Sequence, residues 1–533
     1  MKTSQQLQTL RTSTTDDPRV LAAAATEDYS LHVAPPTWRM HRASLTMAWY
    51  SLVSAMFFLY IAASLASAYG TVNALIGLGL AVAVYGSINA VISRFAARTG
   101  LTVALFSRAV LGRAGATLAT LVFAATAIYY AVFEGSIIGV ALHAYFGGNL
   151  SLWYLVVVLY SVPLVIGGVR RWLDKLNGVL LPIYWTGLIA AVVWATAANG
   201  IPEGLFSNSH AGEVAISAGG PAWLACFSAY MGVFVLMMYT MDFARLARPE
   251  DARYHAIVTF GWVYYLLAFG ANGVIGIYLV HATGSDSTEG GVAVGIVGLM
   301  GLFGVILVWV SQTRINTANY YLASSNLEAF SARALHLHLP RWLWTTIAGA
   351  IIYALMLTPV LEYLLVALAW QGALVTGWVA ITLVHIALDR RQGIAPESVE
   401  FRPGRVRALW SPGLAAWGGS AVTGIAMIES GVPWAATWSS IVTFLLAGGV
   451  YAALRTRSGQ PSAAIARPHD PRDEVKDPWE VRVECGTCGL SYIAHETDRD
   501  VTSADHAPIC ADCASSHTQF LRAASKQGSP HMV

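Results

Sequence analysis

Between Ser44 and Leu454 the chain returns repeatedly to apolar runs of about 20 residues, the length a helix needs to cross roughly 30 Å of hydrocarbon. Twelve such runs are counted, at 44–69, 72–93, 115–146, 151–169, 176–198, 221–242, 254–281, 292–328, 342–358, 361–388, 411–429 and 433–454. This feature constrains the fold most strongly, because it predicts an all-α polytopic membrane protein with 12 transmembrane helices. Composition agrees: 56% of residues are hydrophobic and only 12% charged, against roughly 25% charged in an ordinary soluble domain.

The loops test the count, because Lys and Arg gather in short loops on the cytoplasmic side. With the N-terminus inside, the even-numbered loops carry Arg94, Arg98, Arg108 and Arg113; Arg170, Arg171 and Lys175; Arg245, Arg248 and Arg253; Arg333 and Arg341; and Arg390 through Arg407. The odd-numbered loops carry no Lys or Arg and hold instead Glu203, Glu213, Asp286, Glu289, Glu362 and Glu429. Both termini are therefore expected in the cytoplasm, and the protein in the inner (cytoplasmic) membrane. The first 43 residues lack the apolar core of a cleaved signal peptide, so the first span is expected to serve as an uncleaved insertion signal.

Four parts follow: a cytoplasmic N-terminal arm (1–43), the twelve-helix domain (44–454), a Pro- and charge-rich linker (455–480) and a hydrophilic tail (481–533). Lipid cannot satisfy an exposed backbone group, so a broken helix survives in a membrane only where protein or a water-filled cavity surrounds it. Gly232 interrupts the sixth run and is a candidate break, although glycine also serves close helix packing. The first run has no central Gly or Pro and declares no break; unwinding there would rest on Ser51 and Ser54.

Two ionisable residues lie well inside the apolar runs, Glu134 and Arg314. Each costs at least about 2.5 kcal/mol at mid-membrane, so each should face the bundle interior and have a partner. They are candidates to pair with each other. Gln312, Asn316 and Asn319 share one helical face, and Arg314, Thr317, Tyr321 and Ser325 lie roughly opposite. On the third run Thr126, Tyr130 and Glu134 share a face, with Tyr129 and Phe133 beside it. The plain reading is a structural ion pair in an aromatic core. The functional reading is a mid-membrane site where rings stack on a planar solute, amides read its edge with donor and acceptor together, and a charge couples transport.

Three stretches then carry a resemblance. ARTGLTVALFSRAVLGRAGATLATLVFAATAIYYAVFEG (97–135), MDFARLARPED (241–251) and NTANYYLASSNLEAF (316–330), in that order, resemble the nucleobase–cation symporter family of cytosine, purine and hydantoin permeases, most closely its cytosine-permease branch. The arm segment EDYSLHVAPPTWRMHRASLTMAW is similar as well. The resemblance implies a LeuT-like core of two inverted five-helix repeats plus two peripheral helices, with a mid-membrane site among spans one, three, six, eight and ten. It implies import of a nucleobase-like heterocycle driven by Na⁺ or H⁺. It puts Tyr130 where a ring stacks on the base, Phe234 as the closing aromatic, and Gln312 and Asn316 as edge readers; helical spacing adds Tyr129, Phe133 and Glu134, and the candidate break adds Gly232, to the substrate-binding set. Two departures stand out: Glu134 falls where the family resembles Gly, and Arg314 falls near the position of an acidic or amide residue. A fixed positive charge repels a sodium ion by several kcal/mol at low dielectric. Arg314 is therefore expected to stand in for the ion, with Glu134 titrating in proton coupling; alternatively, Arg314 binds an anionic or carbonyl-rich substrate such as a ureide.

The tail carries Cys485, Cys488, Cys510 and Cys513 in the pattern CxxC-x21-CxxC. Paired knuckles of this kind present four thiolates to one tetrahedral ion, and disulfides are improbable in a reducing cytoplasm, so a structural Zn²⁺ in a zinc-ribbon-like module is expected. Nine Lys plus Arg against eleven Asp plus Glu from residue 455 onward argue against nucleic acid and for a folding or docking module, with a cytoplasmic protein partner possible. The lone Cys226 belongs to the core. No organic cofactor is expected. An enzyme would need a convergent Ser-His or His-rich set in the spans, and most of the fourteen His lie elsewhere. The rival classes are a transporter-like sensor signalling through the tail and an amino acid or amine transporter on the same fold.

Overall fold

The computed structural model describes residues 7–527, apart from 28, 167–173, 204, 207–218, 336, 338 and 359–363. Arg170, Arg171, Glu213 and Glu362 of the loop pattern lie outside the described residues. Every apolar run coincides with helix. Runs two to five are Thr71–Thr99, Val103–Phe146, Leu150–Val165 and Asp174–Asn199; run seven is Pro249–Thr283. Runs nine to twelve are Arg341–Met356, Leu364–Arg391, Ser411–Glu429 and Pro433–Ser458. Among the described residues six helices are long and apolar enough to cross a membrane, or eight when two bent pairs each count as one span. The chain is a multi-pass membrane protein.

The two bent pairs are the first and sixth runs. Arg42–Ser54 meets Met56–Tyr69 at 42°, and Ala222–Met231 meets Val235–Ala244 at 41°. The sixth breaks at Gly232, as its sequence invited. Gly372 lies so close there that a Cβ on it would sit 3.0 Å from the Gly232 Cα. The first breaks at Ala55, which has extended backbone between two helices and no Gly or Pro to announce it.

The eighth run differs from expectation. It divides at Gly301, whose φ of +57° lies in the left-handed region that glycine tolerates. A short helix, Glu289–Met300, precedes the long one, Leu302–Ala334. The third helix likewise starts early, at Val103, and kinks at Gly112, where φ is +80° and a Cβ would meet the backbone of Ala408–Trp410 at 2.9 Å. Leu302–Ala334 runs along Val103–Phe146 through the middle of the bundle. Its polar residues are buried against protein on both sides, which is why the membrane tolerates them.

At one end of the helices sits a cap built from both termini. Thr12–Ser13 of the arm pairs antiparallel with Arg482–Glu484, which pairs with Ser491–Ile493. Asp498–Arg499 pairs with Pro508–Ile509. Residues 462–474 do not hang free between membrane and tail: Ala463 bonds Ala109 and Arg407, and Ile465 bonds Arg405. The charges that make 455–480 read as a linker are paired with the loop 400–405 and with the tail. Asp470 meets Arg402 and Arg405, and Arg467 meets Asp498.

Candidate functional site

A helix interrupted inside a membrane leaves backbone groups unpaired, and each must find a donor or acceptor. At the first-span break the eighth and seventh helices supply them. Arg314 Nη2 donates to the Tyr50 carbonyl at 2.6 Å, and Asn272 Nδ2 donates to that of Val53 at 2.6 Å. Ser311 Oγ donates to the Ser54 carbonyl, while Ser54 Oγ donates to the Ser311 carbonyl at 3.0 Å. The Met56 N–H, which begins the second half-helix, donates to Gln312 Oε1 at 3.0 Å. These contacts, made by residues over 200 positions away, hold the break open where local sequence does not.

Gln312 also turns its amide nitrogen to the third helix, donating to a Glu134 carboxylate oxygen and, at 3.3 Å, to the Glu134 carbonyl. One side chain thus joins the broken first span to Glu134. Glu134 and Arg314 do not pair. Arg314 lies instead over the Tyr184 ring, 6.0 Å from its centroid, and its Nε and Nη1 are buried without a hydrogen-bond partner. The cation therefore stands at the carboxyl end of a half-helix, where the dipole is negative.

Beside this junction is a small void bounded by Phe57 and Phe58, Tyr130, Glu134, Tyr239 and Asn319, with Val233 and Leu236 of the sixth-span break. Its volume is about 20 Å³, room for a single water and far below the roughly 300 Å³ of the smallest usual ligand pockets. The conformation is closed. Tyr239 donates its hydroxyl to Asn319 Oδ1 at 3.0 Å, and Asn319 Nδ2 is buried with no partner. The Tyr130 hydroxyl accepts from Gln371 Nε2 of the tenth helix at 3.3 Å.

Of the residues singled out from sequence, Tyr130 and Glu134 border the void, and Gly232 lies at the turn beside it. Gln312 is one step behind, both ends of its amide engaged by protein. Asn316 is fully buried near Gly135 and has partners for neither its Oδ1 nor its Nδ2. Phe133 packs on Phe57 and Tyr60, Tyr129 on Tyr130, and Phe234 faces away towards Tyr85 and Phe444. Asn319 and Tyr239 were not singled out as site residues. Asn319 shares the helical face of Gln312 and Asn316, which was the available signal; nothing in sequence distinguishes Tyr239 from its apolar neighbours.

In the tail the four cysteine sulfurs lie within 4.8 Å of one another. A tetrahedral ion with metal–sulfur bonds of about 2.3 Å needs sulfurs about 3.8 Å apart, and the Cys488 and Cys510 sulfurs stand at 4.0 Å. Gly489, at φ +67°, closes the first knuckle, and the second opens the helix Ala511–Ser516. Backbone N–H groups of Cys510 and Cys513 point at the sulfurs of Cys485 and Cys510, as at thiolates that hold a metal. The cluster can hold a metal ion.

The first and sixth spans are thus both broken beside one central void. No protein-family model and no curated protein sequence matches the chain. Among solved structures it is similar to Mhp1, a nucleobase-cation-symport-1 family transporter. With bromovinylhydantoin bound in a closed conformation, Mhp1 aligns at a TM-score of 0.62 and 14% identity over 84% of this chain and 97% of Mhp1. The inward-facing conformation of Mhp1 aligns at 0.63, with 12% identity over 80% and 93%. A Na⁺-coupled sialic acid symporter in a substrate-bound outward-open state aligns at 0.58, with 13% identity over 83% and 94%. At these identities the likeness defines the fold.

Proposed function

We propose that this protein is a secondary transporter that imports a small planar heterocycle, of the nucleobase, hydantoin or ureide kind, by alternating access. The observation that carries this reading is the void at the junction of the two broken spans, where Tyr130 offers a ring face, Glu134 an acceptor and Asn319 an unpartnered amide N–H₂. A planar ring with adjacent donor and acceptor matches that set. On this reading the cycle opens the void by moving the sixth-span turn at Val233 and Leu236 away from Tyr130, and closure strips water from the bound ring.

Coupling follows from Arg314. Unwound carbonyls and the carboxyl ends of half-helices are where transporters of this architecture hold a cation. Here the Tyr50 carbonyl is taken by a guanidinium tethered to the eighth helix. Arg314 stands in for the ion, transport is independent of Na⁺, and Glu134 carries the coupling proton, releasing it as the Gln312 contact reforms. The tail is read as a zinc-stapled cap, with Cys485, Cys488, Cys510 and Cys513 as ligands, and twelve spans with both termini cytoplasmic complete the picture.

A thermal-shift screen of the purified protein against nucleobases, hydantoins and ureides, with and without Na⁺, tests the reading. One ring class should raise the midpoint equally in both salts, and Asn319→Ala should abolish the shift. Stabilisation by none of them, or only by amino acids or amines, would overturn it.

A further inference from the structure

Where the tail meets the membrane helices there is a second, larger cavity, of about 320 Å³. Arg108 and Arg113 from the start of the third helix and Arg333 from the end of the eighth line one side, and Ser515 and Leu521 of the tail line the other. Arg108 donates to the Phe401 carbonyl at 3.1 Å, and Arg113 donates to the Pro403 carbonyl at 2.8 Å and to Ser525 Oγ at 3.4 Å. These acceptors are neutral. The Nη1 and Nη2 atoms of Arg333 are buried with no hydrogen-bond partner. The acidic groups whose fields reach the cluster are Asp512 and Glu496. Glu496 is engaged by His32 and by the Val33 N–H.

Three guanidinium groups lining one cavity repel one another, and buried guanidinium nitrogens with no acceptor, as in Arg333, cost several kcal/mol. An anion with several oxygens removes both penalties, and the fork geometry of arginine favours a phosphate. The site is also at the cytoplasmic level of the helices, where both soluble phosphates and lipid headgroups are within reach.

We propose that this cavity binds a phosphate-bearing anion, which joins the third and eighth helices to the tail. The anion's oxygens take the free valences of Arg333 and the remaining N–H groups of Arg108 and Arg113. The site is separate from the mid-membrane void, so a ligand here regulates rather than travels.

The experiment uses the full-length purified protein. Inorganic phosphate and ATP are titrated against chloride at equal ionic strength, and nanodiscs of phosphatidylcholine with and without phosphatidylglycerol are examined by native mass spectrometry. Saturable binding of phosphate or ATP identifies a soluble ligand; retention of one phosphatidylglycerol identifies a headgroup. In either case Arg333→Gln weakens binding at least tenfold. Should that variant not fold, Leu521→Trp, which fills the cavity from the tail side, must do the same. No binding above the chloride background, or binding unchanged in the variant that folds, overturns the proposal.

Discussion

Arg314 and Arg402 are equally sealed from water, at 0% and 1% exposure, but their surroundings differ in kind. Arg402, in the cap, is gripped by Glu400 and Asp470 at 2.6 Å each and by the Thr497 carbonyl at 2.9 Å. Arg314, in the membrane domain, has one carbonyl and a ring face, with two nitrogens bonded to nothing. The same contrast separates Asp498, held by Arg405 and Arg467, from Glu134, held by a neutral amide. A charge whose valences are all filled specifies one arrangement. A buried charge left partly unsatisfied stores a cost that a substrate, a proton or a movement relieves. The cap is therefore read as architecture and the mid-membrane cluster as machinery.

The largest effect should come from the cap's staple. Removing metal, or replacing Cys485 and Cys510 together by Ser, forfeits about 10–16 kcal/mol of binding free energy. The tail should then become protease-sensitive, and elemental analysis, expected to find one zinc per chain in the parent protein, should find none, while residues 44–454 keep their helical signal. Next, Asp498→Asn takes the carboxylate from buried Arg467 and leaves Arg405 only its longer contact with Asp470, and should destabilise the cap by about 3–5 kcal/mol, read by denaturant unfolding of the tail. Substrate uptake should change far less.

Glu134→Gln should show the opposite balance. The proposed carrier of the coupling proton is lost, so proton-driven accumulation should be abolished, while the melting midpoint shifts little because the new amide still accepts from Gln312. A variant that melts early but transports normally would place Glu134 with the architecture instead.

The smallest effect concerns acid. Burial raises the carboxyls of Glu400 and Asp470, but the Arg402 guanidinium outweighs it and holds both below the ordinary range. A depressed carboxylate stabilises the fold above its unfolded pKa, about 4, and ceases to as pH falls through its folded value. The stability gap between the protein and its Asp470→Asn variant, about 1 kcal/mol, should therefore stay constant from pH 8 to 5 and close below pH 4. A gap that closes between pH 7 and 6 would assign the effect to another group.

Much of this architecture is legible in the chain because a membrane imposes simple rules. The apolar runs, the break at Gly232 and the cysteine knuckles are local patterns, and each has its counterpart in the structure. The break at Ala55 is not local. It exists because Arg314, Asn272, Ser311 and Gln312 reach it from distant helices, and no window of the first span contains them. The same holds for Gln312, whose amide looks free to read a substrate until Met56 and Glu134 are seen to occupy both ends. Asn319, seven residues on along that face, keeps the open valence. The polar stretch 455–480 misleads for a related reason: its charges resemble a solvated linker, and only folding brings Asp470 to Arg402 and Arg467 to Asp498.

The claim that organises the account is that Arg314 fills the place of a cation while Glu134 moves the proton. The direct measurement is accumulation of the ring compound found in the screen, in proteoliposomes given either an inward proton gradient without Na⁺ or an inward Na⁺ gradient at equal pH. The account predicts accumulation under the proton gradient alone, abolished in Glu134→Gln. Accumulation that requires the Na⁺ gradient, or that persists in Glu134→Gln, would contradict it.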